Sequence, residues 1–173
     1  KALHAGADVQ MDEALTRIQH QSKLDRDILV TTNGRYTFDY LIDASGSLAH
    51  VGRLRHGDDV RYRPEDQVPT MYAQVQGNVP ETFDVFLGSV APSGYAWIIP
   101  KGPDTANVGL GVRAGYLKGN LKEHLQEFCD ELGFEVLSWG GGWIPMGGPV
   151  KTMVDGTTLA VGDAAGLVMP SHG

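Results

Sequence analysis

A short aromatic segment between two prolines constrains the fold of this 173-residue chain more than any other part of its sequence. Between Pro92 and Pro100, Tyr95 and Trp97 alternate with small or apolar residues. Such alternation is typical of a β-strand that presents successive side chains on opposite faces. The segment therefore predicts a strand with both aromatic rings on one face, continuing through a Gly-Pro turn into a second strand over residues 106–112.

The neighbouring sequence predicts more strands and one helix. Strands are expected over residues 70–76 and 82–87, and short connections favour an antiparallel meander. Apolar residues recur at helical spacing between Leu117 and Leu132, and Gly133 stands where a helix commonly ends. The single cysteine, Cys129, lies within this helix and is expected to be a buried structural thiol.

Glycines cluster in the segment from Trp139 to Pro149. A segment with so few side chains packs poorly as a regular element, so we interpret it as a loop or lid that contacts another part of the molecule.

The first part of the chain predicts a hairpin. Residues 27–32 and 35–40 flank Asn33-Gly34, and the second arm is expected to run on through Asp43. Residues 8–18 fit a strand or a short helix. Near the end, an apolar strand over residues 157–161 is expected to lead into a helix. These elements together predict an α+β fold.

The overall charge narrows the possible partners. The formal net charge is -7 and the chain has no apolar run long enough to span a membrane. We therefore expect a cytoplasmic protein with no nucleic acid partner, and membrane contact that is peripheral at most.

The turn after the last strand is compatible with a flavin. In Gly162-Asp163-Ala164-Ala165-Gly166, small residues admit a close ligand, free amides favour a pyrophosphate, and the Asp163 carboxylate can accept from a ribityl hydroxyl. Asp163 fits a helix N-cap equally well. Asp43, which precedes Ala44-Ser45-Gly46, is more easily explained by hydrogen bonds to loop amides than by catalysis.

Several other site classes are disfavoured. The histidines lack the spacing of a helical metal site, so we expect no metal, and Gly-x-Ser-x-Gly is absent. The arginines at 53, 55, 61 and 63 are expected to form a solvated face. No residue stands out as catalytic.

Three motifs in this order resemble the geranylgeranyl reductase family of FAD-dependent oxidoreductases, within the p-hydroxybenzoate hydroxylase-like group. Pro92-x-x-Tyr95-x-Trp97-x-Ile99-Pro100 is similar to the family's Pro-x-x-Tyr-x-Trp-x-Phe-Pro motif, with Ile99 in the phenylalanine place. Residues 107–111 continue the likeness, and residues 162–170 are similar to the group's second flavin motif. Asp43 to Gly46 stands where the group often has an Asp-Gly pair.

The resemblance implies an FAD enzyme that saturates isolated double bonds of a geranylgeranyl chain. The substrate would be an isoprenoid lipid or pigment, and the electron donor, NAD(P)H or ferredoxin, is left open. The implied substrate-binding residues are Pro92, Tyr95, Trp97, Ile99 and Pro100. The implied FAD-binding residues are Gly162, Asp163, Ala164, Gly166, Asp43 and Gly46.

The resemblance also implies a division of the chain. Residues 1–55 would be part of a Rossmann-like FAD-binding domain, residues 56–150 an antiparallel substrate-binding sheet with a helix, and residues 151–173 a return to the FAD-binding domain. Family members begin with a Gly-x-Gly-x-x-Gly helix, and this sequence contains no such motif. We therefore expect an internal fragment that is inactive alone and binds FAD weakly or not at all.

Three alternatives remain at this stage. A flavin-dependent monooxygenase or halogenase of the same superfamily would share Asp163 but have no use for the Tyr-x-Trp strand. A flavoprotein that reduces quinone would need an iron-sulfur module, which one cysteine cannot supply. A non-enzymatic lipid-binding fragment is the alternative from another class.

Overall fold

The computed structural model describes residues 1–22, 26–57, 63–113, 115–116 and 119–169. Two compact units are present, one of residues 1–61 with 150–165 and the other of residues 62–149 with 166–173. Antiparallel sheets dominate the described residues and helices are few, which confirms the predicted α+β fold class.

The first unit contains two three-stranded sheets. One is an antiparallel meander of β1 (Leu15–Gln21), β2 (Arg26–Thr31) and β3 (Arg35–Thr37). The other places β11 (Thr158–Ala160) between β10 (Val154–Asp155), which is antiparallel to it, and β4 (Leu41–Asp43), which is parallel. A short helix, α1 (His50–His56), follows β4.

Several sequence predictions for this unit need correction. The predicted hairpin at Asn33-Gly34 forms, but its second arm ends at Thr37 and does not run on to Asp43. Leu41 to Asp43 instead find their hydrogen-bond partners in β11. Residues 162–165 form a 3-10 turn at the position of the predicted turn, and residues 170–173, where the following helix was predicted to begin, lie outside the described residues.

The helix α1 was not predicted because only Val51 among its side chains is buried, so its sequence lacks an apolar stripe. The sequence predicted that Arg55 of this helix would lie on a solvated face, and for this residue the prediction is wrong. Its guanidinium donates to Asp27 of β2 at 2.6 Å and to Asp155 of β10 at 2.9 Å. The arginine therefore joins α1 to a strand of each sheet.

The second unit is a five-stranded antiparallel sheet in the order β6-β7-β8-β5-β9. Its strands are β5 (Gln67–Gln76), β6 (Asp84–Phe86), β7 (Gly94–Pro100), β8 (Thr105–Val112) and β9 (Glu135–Pro145). The helix α2 (Leu121–Glu131) covers one face of the sheet. The core between them includes Val75, Ile98 and Leu110 of the sheet and Leu125 and Phe128 of the helix.

Local signals account for the ends of α2. The Asn120 side chain accepts a hydrogen bond from the Lys122 amide at 2.8 Å, which makes it the N-cap. Gly133 adopts φ +70° just beyond the helix, as predicted. Leu117, where the sequence predicted the helix to begin, lies outside the described residues. Cys129 is fully buried, and this burial raises the pKa of its thiol to about 11.

Two predictions for the second unit are wrong. The sheet is not a simple meander: β6, β7 and β8 follow one another, but β5 pairs with β8 and β9. The glycine-rich segment is not a loop or lid, because residues 139–145 lie within β9. Because glycine has no side chain, the glycines of β9 leave space that side chains of the neighbouring strand β5 fill.

Candidate functional site

The face of the five-stranded sheet opposite α2 carries the predicted aromatic residues. Ala96 and Ile98 of β7 are buried in the core under α2, so Tyr95, Trp97 and Ile99 project from the other side. We call this side the open face; it also includes Thr70 and Tyr72 of β5, Gly109 and Gly111 of β8, and Gly140 and Gly142 of β9. The prediction that Tyr95 and Trp97 share a face is confirmed.

The two rings of β7 form an aromatic pair. Their centroids are 5.8 Å apart and their planes are tilted by 54°. The indole nitrogen of Trp97 donates to the Asn107 side-chain oxygen at 2.8 Å. Because this donor is satisfied within the sheet, Trp97 presents apolar ring surface without an unmet hydrogen bond. Burial raises the pKa of the Tyr95 hydroxyl, so this phenol stays neutral across physiological pH.

The two prolines predicted to bind substrate lie elsewhere. Pro92 lies in the turn before β7. Backbone hydrogen bonds donated by the Ala91 and Gly94 amides close this turn. Pro100 pairs with the buried Ala106 and so lies on the helix side of the strand. Of the five predicted substrate residues, the structure brings Tyr95, Trp97 and Ile99 together on the open face.

Sequence reasoning missed part of the open face. Tyr72 lies across Gly109 from Trp97, and Val85 of the edge strand β6 is paired with Trp97 on its other side. Both side chains are exposed. In β5, Ala73 and Val75 point into the core and Tyr72 points to the opposite face. This alternation of side chains could have identified Tyr72 from the sequence.

The predicted flavin-binding residues of the first unit gather at one edge of the β10-β11-β4 sheet. Because β4 and β11 are parallel, their carboxyl ends meet at this edge, and the Val161 amide donates to the Asp43 carbonyl at 2.9 Å. The 3-10 turns Gly46–Leu48 and Gly162–Ala165 follow the two strands and pack side by side. The structure thus places Gly46 and Gly162 near each other.

Asp43 holds the first of these turns in place. Its carboxylate accepts hydrogen bonds from the Ser45 amide at 3.0 Å, the Ser45 hydroxyl at 2.5 Å and the Gly52 amide at 3.1 Å. The residue is only 2% exposed. Its oxygens therefore organise the loop and the start of α1, which agrees with the loop-amide interpretation of the sequence.

The backbone around the second turn has the features expected for close approach of a ligand. Gly46 and Gly162 adopt φ +69° and +56°, and among the described residues no atom lies within 4 Å of where a side chain would begin at either. Asp163 is exposed, whereas Ala164 is buried. Gly166 follows in a left-handed conformation at φ +66°. A bulky phosphate or sugar can approach the backbone at Gly46 and Gly162 without meeting a Cβ atom, whereas Gly166 is buried.

A metal centre and a membrane-spanning helix are two features that the described ranges do not contain. There, no group of histidine, cysteine, aspartate and glutamate residues could hold a metal ion. None of the helices in the same ranges is long and apolar enough to cross a membrane.

Two solved structures share the fold of this chain. A geranylgeranyl bacteriochlorophyll reductase-like protein from Thermoplasma acidophilum superposes with a TM-score of 0.84 at 24% identity, covering 99% of this chain and 46% of that one. A flavin-dependent halogenase from Brevundimonas sp. BAL3 superposes with a TM-score of 0.69 at 18% identity, covering 96% of this chain and 34% of that one. At these identities the likeness establishes the fold.

Sequence comparisons identify similar proteins. A profile described as the geranylgeranyl reductase catalytic domain matches residues 68–141. A digeranylgeranylglycerophospholipid reductase of Methanothermobacter thermautotrophicus is 40% identical over 139 residues, which are 77% of this chain and 35% of that protein. Residues 68–141 therefore match the geranylgeranyl reductase catalytic domain, and the resemblance drawn from the sequence motifs is confirmed. The chain spans about a third of the length of this curated relative.

Proposed function

We propose that this chain is part of an FAD-dependent reductase that saturates isolated double bonds in the geranylgeranyl tails of a lipid. The observation that carries this proposal is the aromatic open face, whose residues except Gly142 lie within the segment matched by the reductase catalytic domain. The name of the methanogen relative favours a lipid with two such tails over a pigment.

The open face suits a substrate that offers few polar groups. An isolated alkene has no charge or strong dipole to bind, so its reduction depends on positioning against the reductant. Trp97, Tyr95 and Ile99 offer ring and aliphatic surface that an isoprenoid chain can cover. Burial of such surface on both partners gives affinity without requiring polar contacts.

The turns of the first unit fit the flavin. We propose that Gly46 and Gly162 allow its phosphate and ribityl groups to approach the backbone, with Asp163 accepting from a hydroxyl and Ala164 contributing its amide. Asp43 positions Gly46 through its contacts within the loop. When bound, reduced FAD supplies the hydride. Residues 1–55 and 151–173 would then serve the cofactor, and residues 56–150 the substrate.

The deciding experiment measures hydrogen addition to a lipid. The complete enzyme is incubated with dithionite-reduced FAD and a digeranylgeranyl glycerophospholipid, and the lipid is analysed by mass spectrometry. We expect mass gains in steps of two hydrogens. Dithionite makes the result independent of the physiological donor, whether NAD(P)H or ferredoxin. An unchanged lipid mass with fully reduced flavin would refute the proposal.

The shared fold supplies the second candidate. A halogenase or other flavin-dependent monooxygenase would consume oxygen with an aromatic substrate and leave the lipid unreduced. A non-enzymatic lipid-binding role predicts binding of the geranylgeranyl lipid with neither oxygen consumption nor hydrogen addition. Hydrogen addition to the lipid, oxygen consumption with an aromatic substrate and lipid binding therefore separate the three functions.

A further inference from the structure

Tyr72 lies on the open face, two strands away from Trp97. It is paired with Gly109 of β8 on one side and with Gly140 of β9 on the other, while Trp97 is paired with Gly109 from β7. Large rings and glycines therefore alternate across this row of the sheet. Since neighbouring strands are about 4.8 Å apart, the two rings arise from backbone positions about 10 Å apart.

Each ring leans over the glycine beside it. A methyl group added at Gly140 would lie 2.3 Å from Cζ of Tyr72 and 2.4 Å from its hydroxyl oxygen. A methyl group at Gly109 would lie 2.3 Å from Cζ2 of Trp97. These distances are far inside van der Waals contact, so the rings can occupy these positions only because both neighbours are glycine.

The glycines therefore determine how far the neighbouring rings project from the open face. With residue 140 lacking a side chain, Tyr72 covers the backbone of β9 and does not stand up from the sheet. Trp97 and Tyr72 together then give an aromatic surface across four strands, from β7 to β9. An upright Tyr72 would instead form a ridge between the substrate strand β7 and the far edge of the sheet.

We propose that Tyr72 is a second substrate-contacting ring and that Gly140 makes the site selective for long isoprenoid chains by keeping this ring flat. The proposal rests on the proposed function and deepens it. A geranylgeranyl chain can lie across Trp97 and Tyr72 together, whereas a geranyl chain, with half as many isoprene units, depends mainly on the ring nearest its reacting bond.

Two neighbouring glycines provide a matched pair of variants. Gly140→Ala brings a methyl group against Tyr72 side-chain atoms, and this exposed ring is free to swing outward. Gly142→Ala changes the same strand and the same face, but among the described residues no atom lies within 4 Å of its added methyl group. The two changes alter strand propensity alike, so a difference between them reports the ring.

Binding is measured on the complete holoenzyme by calorimetric titration with a digeranylgeranyl lipid and with its geranyl analogue, both in detergent. We expect Gly140→Ala to weaken binding of the long-chain lipid by about fivefold or more, through loss of the Tyr72 contact surface. The geranyl analogue should lose less than about twofold, and Gly142→Ala should stay within about twofold for both lipids.

A double-mutant cycle tests whether the effect passes through Tyr72. Tyr72→Ala should weaken binding of the long-chain lipid, and adding Gly140→Ala to it should change nothing further, because no ring remains to be displaced. Tyr72→Phe should bind like the wild type, since it keeps the ring. An equal penalty for Gly140→Ala with and without Tyr72, or identical binding by the two glycine variants, would overturn the proposal.

Failure of this proposal can be told from failure of the proposed function. If the wild type adds hydrogen to the lipid but both glycine variants bind it equally well, the function stands and the role of Tyr72 is refuted. If the wild type binds the lipid and adds no hydrogen, the reductase function fails. A binding difference between the glycine variants would then still support the Tyr72 surface.

Discussion

At the scale of single residues, Trp97 has the most direct part in the proposed reaction. It lies between Val85 and Gly109 on the open face, and its polar nitrogen is already bonded to Asn107. Trp97 therefore contributes the apolar surface of its ring, which an apolar substrate can cover. Loss of the Trp97 ring should therefore impair lipid binding and leave flavin binding unchanged.

Trp97→Ala should raise the KM for the geranylgeranyl lipid about tenfold or more, because an aromatic side chain contributes roughly 1.5–3 kcal/mol when it is fully buried by a partner. The flavin absorbance spectrum of the holoenzyme should not change. Trp143→Ala is the control, since Trp143 is half-exposed and its pairing with Pro69 places it on the other face of the sheet. Loss of flavin on Trp97→Ala, or an equal KM effect in the control, would contradict the assignment.

Asp43 has a structural part, because its carboxylate accepts hydrogen bonds from the loop that follows β4. In Asp43→Asn, one oxygen can still accept from Ser45, but the new amide group meets the Gly52 amide, donor against donor. We expect the free energy of unfolding to fall by about 2–3 kcal/mol, the typical cost of losing a charge-assisted hydrogen bond in a buried position. Urea denaturation of the chain measures this. The exposed Asp39→Asn should leave the midpoint unchanged, and an equally stable Asp43→Asn would mean that the carboxylate is dispensable.

At the scale of secondary-structure elements, the first unit depends on ion pairs as well as on its sheets. Arg55 of α1 contacts Asp27 of β2 and Asp155 of β10, and its side chain is 19% exposed. The hydrogen bond from Arg55, assisted by His20, holds the pKa of the Asp27 carboxyl below its ordinary value. A carboxyl whose pKa is lower in the folded than in the unfolded chain stabilises the fold at higher pH, and this contribution disappears as pH falls through the folded pKa.

The pH dependence of stability follows from this. Asp27→Asn should cost about 1 kcal/mol at neutral pH, as expected for a partly exposed ion pair. The difference from wild type should begin to shrink near about pH 4, the ordinary carboxyl pKa, and be lost only at lower pH, as the folded pKa is passed. Urea denaturation followed by far-UV circular dichroism across this range measures both effects. Glu81→Gln, at an exposed position, should run parallel to the wild type throughout. A constant difference between Asp27→Asn and wild type at all pH values would contradict the ion-pair explanation.

The elements also explain how far sequence could predict the fold. Strands with clear alternation, such as β7, and the capped end of α2 at Gly133 followed from local signals. The strand β9 did not, because its glycines are stabilised by side chains of β5, which are distant in sequence. Likewise Leu41 to Asp43 appeared continuous with the hairpin, although their partner strand begins at Thr158. Local patterns do not encode such long-range pairings.

The candidate site shows the same division. Tyr95 and Trp97 could be placed on one face because their spacing alone determines it. The flat packing of Tyr72 over Gly140 could not, since it requires knowing that β5 and β9 are neighbours in this register. For the flavin turns, the sequence identified Gly162 and Asp43 separately. Their meeting at one sheet edge depends on the parallel pairing of β4 with β11.

At the scale of the whole molecule, the proposed flavin site consists of the turns at Gly46 and Gly162. The 173-residue sequence contains no Gly-x-Gly-x-x-Gly motif, which in dinucleotide-binding folds marks the helix that holds the pyrophosphate of FAD. The turns at Gly46 and Gly162 are suited to the remaining part of the cofactor. A ligand that is bound through only some of its groups loses much of its affinity, because the cost of immobilising it must still be met.

The 173-residue chain should therefore bind FAD at least about a hundredfold more weakly than the complete enzyme, since each lost contact of roughly 1.4 kcal/mol weakens binding tenfold. Quenching of flavin fluorescence during titration measures both affinities. In the complete enzyme, Asp163→Ala should weaken FAD binding, because the variant lacks the carboxylate that we propose accepts from a ribityl hydroxyl. Stoichiometric yellow flavin retained by the purified chain would contradict this prediction, because these turns would then hold the cofactor without a dinucleotide-binding helix.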